Sequence, residues 1–139
     1  MKLTLFTVEE ANQLLTELRP RLERLIEAKR EFDRLQARIE VLGLVAAGAN
    51  TDNPDAVELR RLHERRHLMA EQLSAGVTAI HRRGCLVKDL DRGLLDFYAL
   101  SGDRLVFLCW QIGEPEVAHW HSLEGGFADR QKLNHTELE

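Results

Sequence analysis

The chain has no long apolar run, few aromatics and only two cysteines, and each shortage removes a class of protein. No stretch of about eighteen apolar residues occurs, so the sequence offers no helical membrane span. Met1-Lys2-Leu3-Thr4-Leu5-Phe6 runs at once into Glu9 and Glu10 and lacks the apolar core of a secretory signal. Cys85 and Cys109 show no CxxC spacing and sit in apolar surroundings, so they are expected to be free, buried thiols in a reducing compartment. The expected location is the cytoplasm. A net charge of −4 and a pI of about 5.9 supply no basic field to hold nucleic acid or an anionic membrane, and neither is an expected partner. There is no glycine-rich phosphate loop and no GxSxG elbow, and neither cysteine has the electropositive setting of a nucleophile.

Aromatics at 6% with abundant Leu, Glu and Arg favour helix over most of the length. Thr7 with Glu10 forms a capping box. Leu14, Leu15, Leu18 and Leu22 lead into Leu25, Ala28, Phe32, Leu35, Ile39 and Leu42, which alternate spacings of three and four as in a heptad seam. Pro20 lies inside this run and predicts a kink or a break. Gly43 to Asn53 is rich in Gly, Asn and Asp and reads as a reversing loop. Asn53 then caps a second helix with Pro54 at its first position, whose stripe is Leu59, Leu62, Met69, Leu73, Val77 and Ile80 and which Gly84 ends. Two such helices fold back as an antiparallel, coiled-coil-like hairpin, and homodimerisation through it would cover the remaining apolar stripe.

After Gly84 the period changes. Cys85 to Val87, Leu94 to Tyr98, Leu105 to Ile112 and Val117 to Ser122 read as strands, with a hairpin turn at Ser101-Gly102-Asp103. The expected fold is a single α+β domain over residues 1–139. It comprises a helical hairpin at 7–83, a small, mainly antiparallel sheet of three to four strands at 84–130, and a polar tail at 131–139.

Three constellations carry chemistry. His63-Glu64-Arg65-Arg66-His67 is an HExxH on a helix, the zincin spacing, but it lies in a polar stretch with no third ligand, and a solvated face explains it better. His119-Trp120-His121 places two imidazoles on one strand face, where Glu124 or Glu114 would complete a metal site; two polar positions on a wet face are the plainer reading. The metal candidates are therefore His119, His121 and Glu124, then His63 and His67, and a divalent metal is the cofactor they would hold. The third constellation is Lys88, Asp89, Asp91, Asp96, Glu114, His121 and Arg130, at turns and strand ends beside Trp110 and Phe97. Asp96 interrupts an apolar strand, and its carboxylate needs a cation or backbone donors, with Lys88 and Arg130 as candidates.

These residues also carry a resemblance. Phe6 to Asn12 with Leu18-Arg19-Pro20, and then Val87-Lys88-Asp89-Leu90-Asp91-Arg92-Gly93-Leu94-Leu95-Asp96-Phe97, Leu108-Cys109-Trp110, Gly113-Glu114-Pro115-Glu116, Trp120-His121, Gly126-Phe127 and Arg130, resemble an uncharacterised bacterial family, Domain of Unknown Function 2203. The resemblance spans nearly the whole chain and implies no activity. Its pattern includes Lys88, Asp89, Asp96, Trp110, Glu114, His121 and Arg130. His119 departs from that pattern, which weighs against a paired-histidine site.

The leading expectation is a dimerising binding or interaction module whose sheet carries a polar pocket for a small ligand or ion. Asp96, Glu114 and His121 would face the ligand, Lys88 and Arg130 would neutralise charge, and Trp110 would form an apolar wall. The alternatives are a small, metal-assisted hydrolase using Asp96, Glu114 and His121, or an ion-pair clasp with a purely structural role. Whether the chain is an enzyme stays open at this stage.

Overall fold

The computed structural model describes residues 3–134. The last part of the expected polar tail, residues 135–139, lies outside them. The first helix, α1, runs unbroken over Val8–Val45. Its capping box is formed as the sequence predicts: Glu10 N donates to Thr7 Oγ1 (3.1 Å) and Thr7 N donates to Glu10 Oε1 (2.9 Å). Pro20 does not break the helix. It sits at an exposed position, so the carbonyl one turn back, left without an N–H partner, faces solvent. Helix α2 covers Pro54–His81, capped by Asn53, whose side chain accepts from Asp55 N (2.9 Å).

Five strands follow: β1 (Cys85–Asp89), β2 (Leu94–Ser101), β3 (Arg104–Gln111), β4 (His119–Ser122) and β5 (Gln131–Lys132). They form one antiparallel meander in sequence order. The sheet thus has five strands where the sequence suggested three to four. The added strand, β5, falls in the expected polar tail and carries no apolar residue to mark it. At the β2–β3 hairpin Gly102 has φ +65° and Asp103 does not have positive φ. This is the II′ pattern, whose twist suits adjoining antiparallel strands. At the junction of hairpin and sheet, Gly84 has φ +100°, and a Cβ there would come within 2.6 Å of Thr4 Cβ, so only glycine fits.

The two halves of α1 do different work. Ala11, Leu15, Leu18, Leu22 and Ile26 pack on one face of the sheet, formed by Cys85, Leu95, Phe97, Ala99, Val106, Leu108 and Trp110. Leu35 and Ile39 instead meet Leu62 of α2 in a smaller cluster flanked by Leu42, Leu59 and Met69. Each large side chain so buried contributes about 1.5–3 kcal/mol, so the sheet contact is the main source of stability. The sheet covers much of the stripe that the sequence left wet. No helix among the described residues is long and apolar enough to cross a membrane.

Candidate functional site

Because side chains alternate along a strand, the residues between those core positions point away from the helices. Asp96 pairs across the ladder with Cys109, and Cys109 with His119; in the next row Tyr98 pairs with Phe107 and Phe107 with His121. All six therefore share the outer face. That face is roofed by the segment after β4, where Gly125, Gly126 and Phe127 line a cavity of about 80 Å³ together with Lys88, Leu94, Asp96, Cys109 and His121. The roof explains how a carboxylate on a sheet's outer face is buried.

Asp96, Cys109 and His121 are each only 2% exposed. One donor atom from each lies within 4.8 Å of the others. His121 and Asp96 reach toward each other over β3, with Nε2 3.0 Å from Asp96 Oδ2. The other ring nitrogen, Nδ1, is 2.8 Å from the Ser122 carbonyl oxygen. A carbonyl only accepts, so Nδ1 carries a proton. The Nε2–Oδ2 contact then holds a single shared proton, on the imidazole or on the carboxyl group. Asp96 Oδ1 is buried with no hydrogen-bond partner among the described residues. Burial, reinforced by the charge of neighbouring Asp96, pushes the Cys109 thiol up to about 12. Cys85, buried in the main core, is also pushed up to about 12, by burial. Neither cysteine is bridged.

A second polar cluster adjoins the first. Arg130 Nη2 contacts Glu114 Oε1 (2.6 Å) and Oε2 (2.8 Å), His119 Nδ1 (2.8 Å) and, weakly, the Cys109 carbonyl (3.4 Å). Glu114 Oε1 also accepts from Gln111 N (2.7 Å), and its carbonyl accepts from Trp110 Nε1 (3.0 Å). Phe127 lies under two guanidinium groups, Arg92 at 4.5 Å and Arg130 at 4.8 Å from its ring centroid. Arg130 and Phe127 thereby fasten the roof to the sheet edge.

The residues singled out in the sequence separate accordingly. Lys88, Asp96 and His121 line one cavity; Glu114, Arg130 and His119 form the adjoining clasp. Trp110 belongs to the inner face, and Asp89 accepts from Arg92 N (3.1 Å) in the β1–β2 turn. The partner of Asp96 is His121, not Lys88 or Arg130, because Arg130 is taken up by Glu114. Glu124 is exposed. His63 and His67 are exposed on α2, where His67 Nε2 meets Glu71 at 3.0 Å. Cys109 also belongs to the site, although nothing in its local sequence marks it. Its signal is the register: five residues back from Ser101 and five forward from Arg104, Asp96 faces Cys109.

Neither the curated proteins nor the solved structures contain a match to the chain. A family model described as "Uncharacterized conserved protein (DUF2203)" matches residues 4–133, which take in both helices and all five strands. The chain belongs to this family, Domain of Unknown Function 2203.

Proposed function

We propose that this protein binds a divalent metal ion of the zinc class through Asp96 Oδ, Cys109 Sγ and His121 Nε2. The observation that carries the reading is the orientation of His121. With Nδ1 donating to the Ser122 carbonyl, Nε2 is left facing Asp96 Oδ2 at 3.0 Å, in a cluster whose donor atoms, one from Cys109 included, lie within 4.8 Å of one another; outer hydrogen bonds impose this tautomer on metal-binding histidines. Asp96 Oδ1, buried with no hydrogen-bond partner among the described residues, supplies an oxygen donor beside it. Around a tetrahedral zinc, ligand atoms lie about 3.4–3.7 Å apart, so side-chain adjustments of roughly an ångström complete the site. A mixed oxygen, nitrogen and sulfur set suits zinc and disfavours magnesium or calcium.

Hydrolysis with Glu114 as proton carrier is less well supported, because both Glu114 oxygens are engaged by Arg130 and the residue does not line the cavity. The test is metal analysis and calorimetric titration of metal-free protein with Zn²⁺. One equivalent is expected, lost in Asp96→Asn and in His121→Ala. Less than about one-tenth equivalent of any transition metal after reconstitution overturns the proposal. The unbridged thiols suit a reducing compartment, and a cytoplasmic location is proposed on that ground.

We also propose that the hairpin self-associates as a coiled-coil-like homodimer. A groove of about 630 Å³ between the helices is lined by Leu25, Leu68, Met69 and Leu73, with Arg24, Arg65 and Glu31 among its polar residues. Leu68 is 58% exposed. Arg65 and Glu31 make no ion pair among the described residues, so a two-fold copy can pair the arginine of each chain with the glutamate of the other. Sedimentation at micromolar concentration should give a dimer that Leu68→Glu dissociates; a wild-type monomer refutes it.

A further inference from the structure

We propose that the metal at this site keeps an exchangeable position facing the roofed cavity, and that a small monoanion, a carboxylate or bicarbonate, binds there with Lys88 as its counter-charge. This rests on the metal reading above and names the ligand class of the same site.

Three properties of the site point to this ligand class. The first is coordination number. Asp96, Cys109 and His121 supply three ligands, and three protein ligands leave a tetrahedral ion one open position, as in zinc sites that take water or substrate. The second is charge. A divalent ion with one carboxylate, one thiolate and a neutral imidazole sums to zero. Lys88, exposed yet lining the cavity, then adds one positive charge, which matches one negative charge on the ligand. Lys88 makes no ion pair among the described residues; its Nζ stands 4.4 Å from the centroid of the Phe107 ring. The ladder register shifts between Val87 and Asp89. Such a bulge re-aims the intervening side chain, and Lys88 lines the same cavity as the three donors.

The third is size. A cavity of about 80 Å³ holds two to three waters, at about 30 Å³ each. That volume fits an anion of three or four heavy atoms. Leu94 and Phe127 supply apolar walls, which strengthen the ion–anion attraction by displacing water from that side of the cavity.

The experiment uses the full chain loaded with Co²⁺, whose visible spectrum reports coordination, titrated with sodium acetate and with sodium bicarbonate at constant ionic strength. The expected result is a saturable change in the ligand-field bands for either anion. Lys88→Met should load Co²⁺ within about twofold of wild type and weaken anion binding about tenfold, as loss of a charge-assisted contact does. If Co²⁺ loads with a thiolate charge-transfer band but neither anion alters the spectrum, the inference falls and the metal reading survives. The same holds if Lys88→Met binds acetate as tightly as wild type. If Co²⁺ gives no thiolate band at all, both fall together.

Discussion

Replacing Asp96 by asparagine and by alanine should separate the structural part of the Asp96–His121 pair from its metal-binding part. His121 Nδ1 is committed as a donor to the Ser122 carbonyl at 2.8 Å, so in a neutral ring Nε2 is an acceptor. An asparagine at position 96 can turn its amide N–H toward Nε2 across the same 3.0 Å contact. Asp96→Asn should therefore stay within about 1 kcal/mol of wild type in metal-free protein. Alanine leaves Nε2 buried and unpartnered, which costs about 1–3 kcal/mol, or roughly 3–12 °C in thermal midpoint for a chain of this length. With Zn²⁺ at a hundred times its dissociation constant, wild type should gain about 2.7 kcal/mol. Neither variant should gain this, since an amide oxygen is a poor zinc ligand. The assay is urea unfolding followed by far-ultraviolet circular dichroism, with chelator and with Zn²⁺. If Asp96→Asn in chelator loses as much as Asp96→Ala, Nε2 is not an acceptor: the pair is then an imidazolium–carboxylate salt bridge, and the ring is not poised for metal. If Asp96→Asn keeps the full Zn²⁺ gain, Asp96 is not a ligand.

Other expectations follow from the same geometry. In metal-free protein the Cys85 and Cys109 thiols, pushed up to about 12 by burial from an ordinary value of 9.0, hold protons that the unfolded chain releases. Stability is therefore full below pH 9 and falls as pH rises toward 12, by up to about 1.4 kcal/mol per pH unit for each thiol. Urea midpoints at pH 8 and pH 10.5 measure this, and Cys85→Ala should flatten the slope; an unchanged slope would show that this thiol ionises freely. Arg130→Ala removes the Nη2 contacts to both Glu114 oxygens and should destabilise by about 2 kcal/mol. It should also speed Zn²⁺ loss to a chelator, because the roof loosens; an unaltered release rate would show that Arg130 does not govern access. His63→Ala with His67→Ala should leave zinc stoichiometry intact and stability within about 0.5 kcal/mol, as exposed positions do. Loss of bound zinc in that variant would restore the HExxH as a ligand source.

The helices were legible because a single local rule writes them. Thr7 with Glu10, the three-and-four spacing from Leu25 to Leu42, and Asn53-Pro54 each act over one or two turns, so neighbours in sequence suffice. The β2–β3 hairpin was legible for the same reason, from Gly102. What sequence alone could not supply is which side of the strands meets α1, because β2 and β3 are apolar on both faces: Leu95 and Phe97 face the helices, and Asp96 faces outward. The sequence drew attention to Asp96, His121 and Lys88 as polar residues out of pattern, yet spread them among partners such as Arg130, His119 and Glu124. Cys109 drew none, since a cysteine in an apolar strand looks like core. Only the ladder register set it beside Asp96, and only the roof from Gly125 to Arg130 made the outer face dry. The sequence by itself determined the helices, the principal strands and the polar residues that chemistry would use. The tertiary structure decided which of them meet, because contacts among β2, β3 and β4 depend on long-range pairing, and burial depends on a segment that reaches its place only once the sheet has formed.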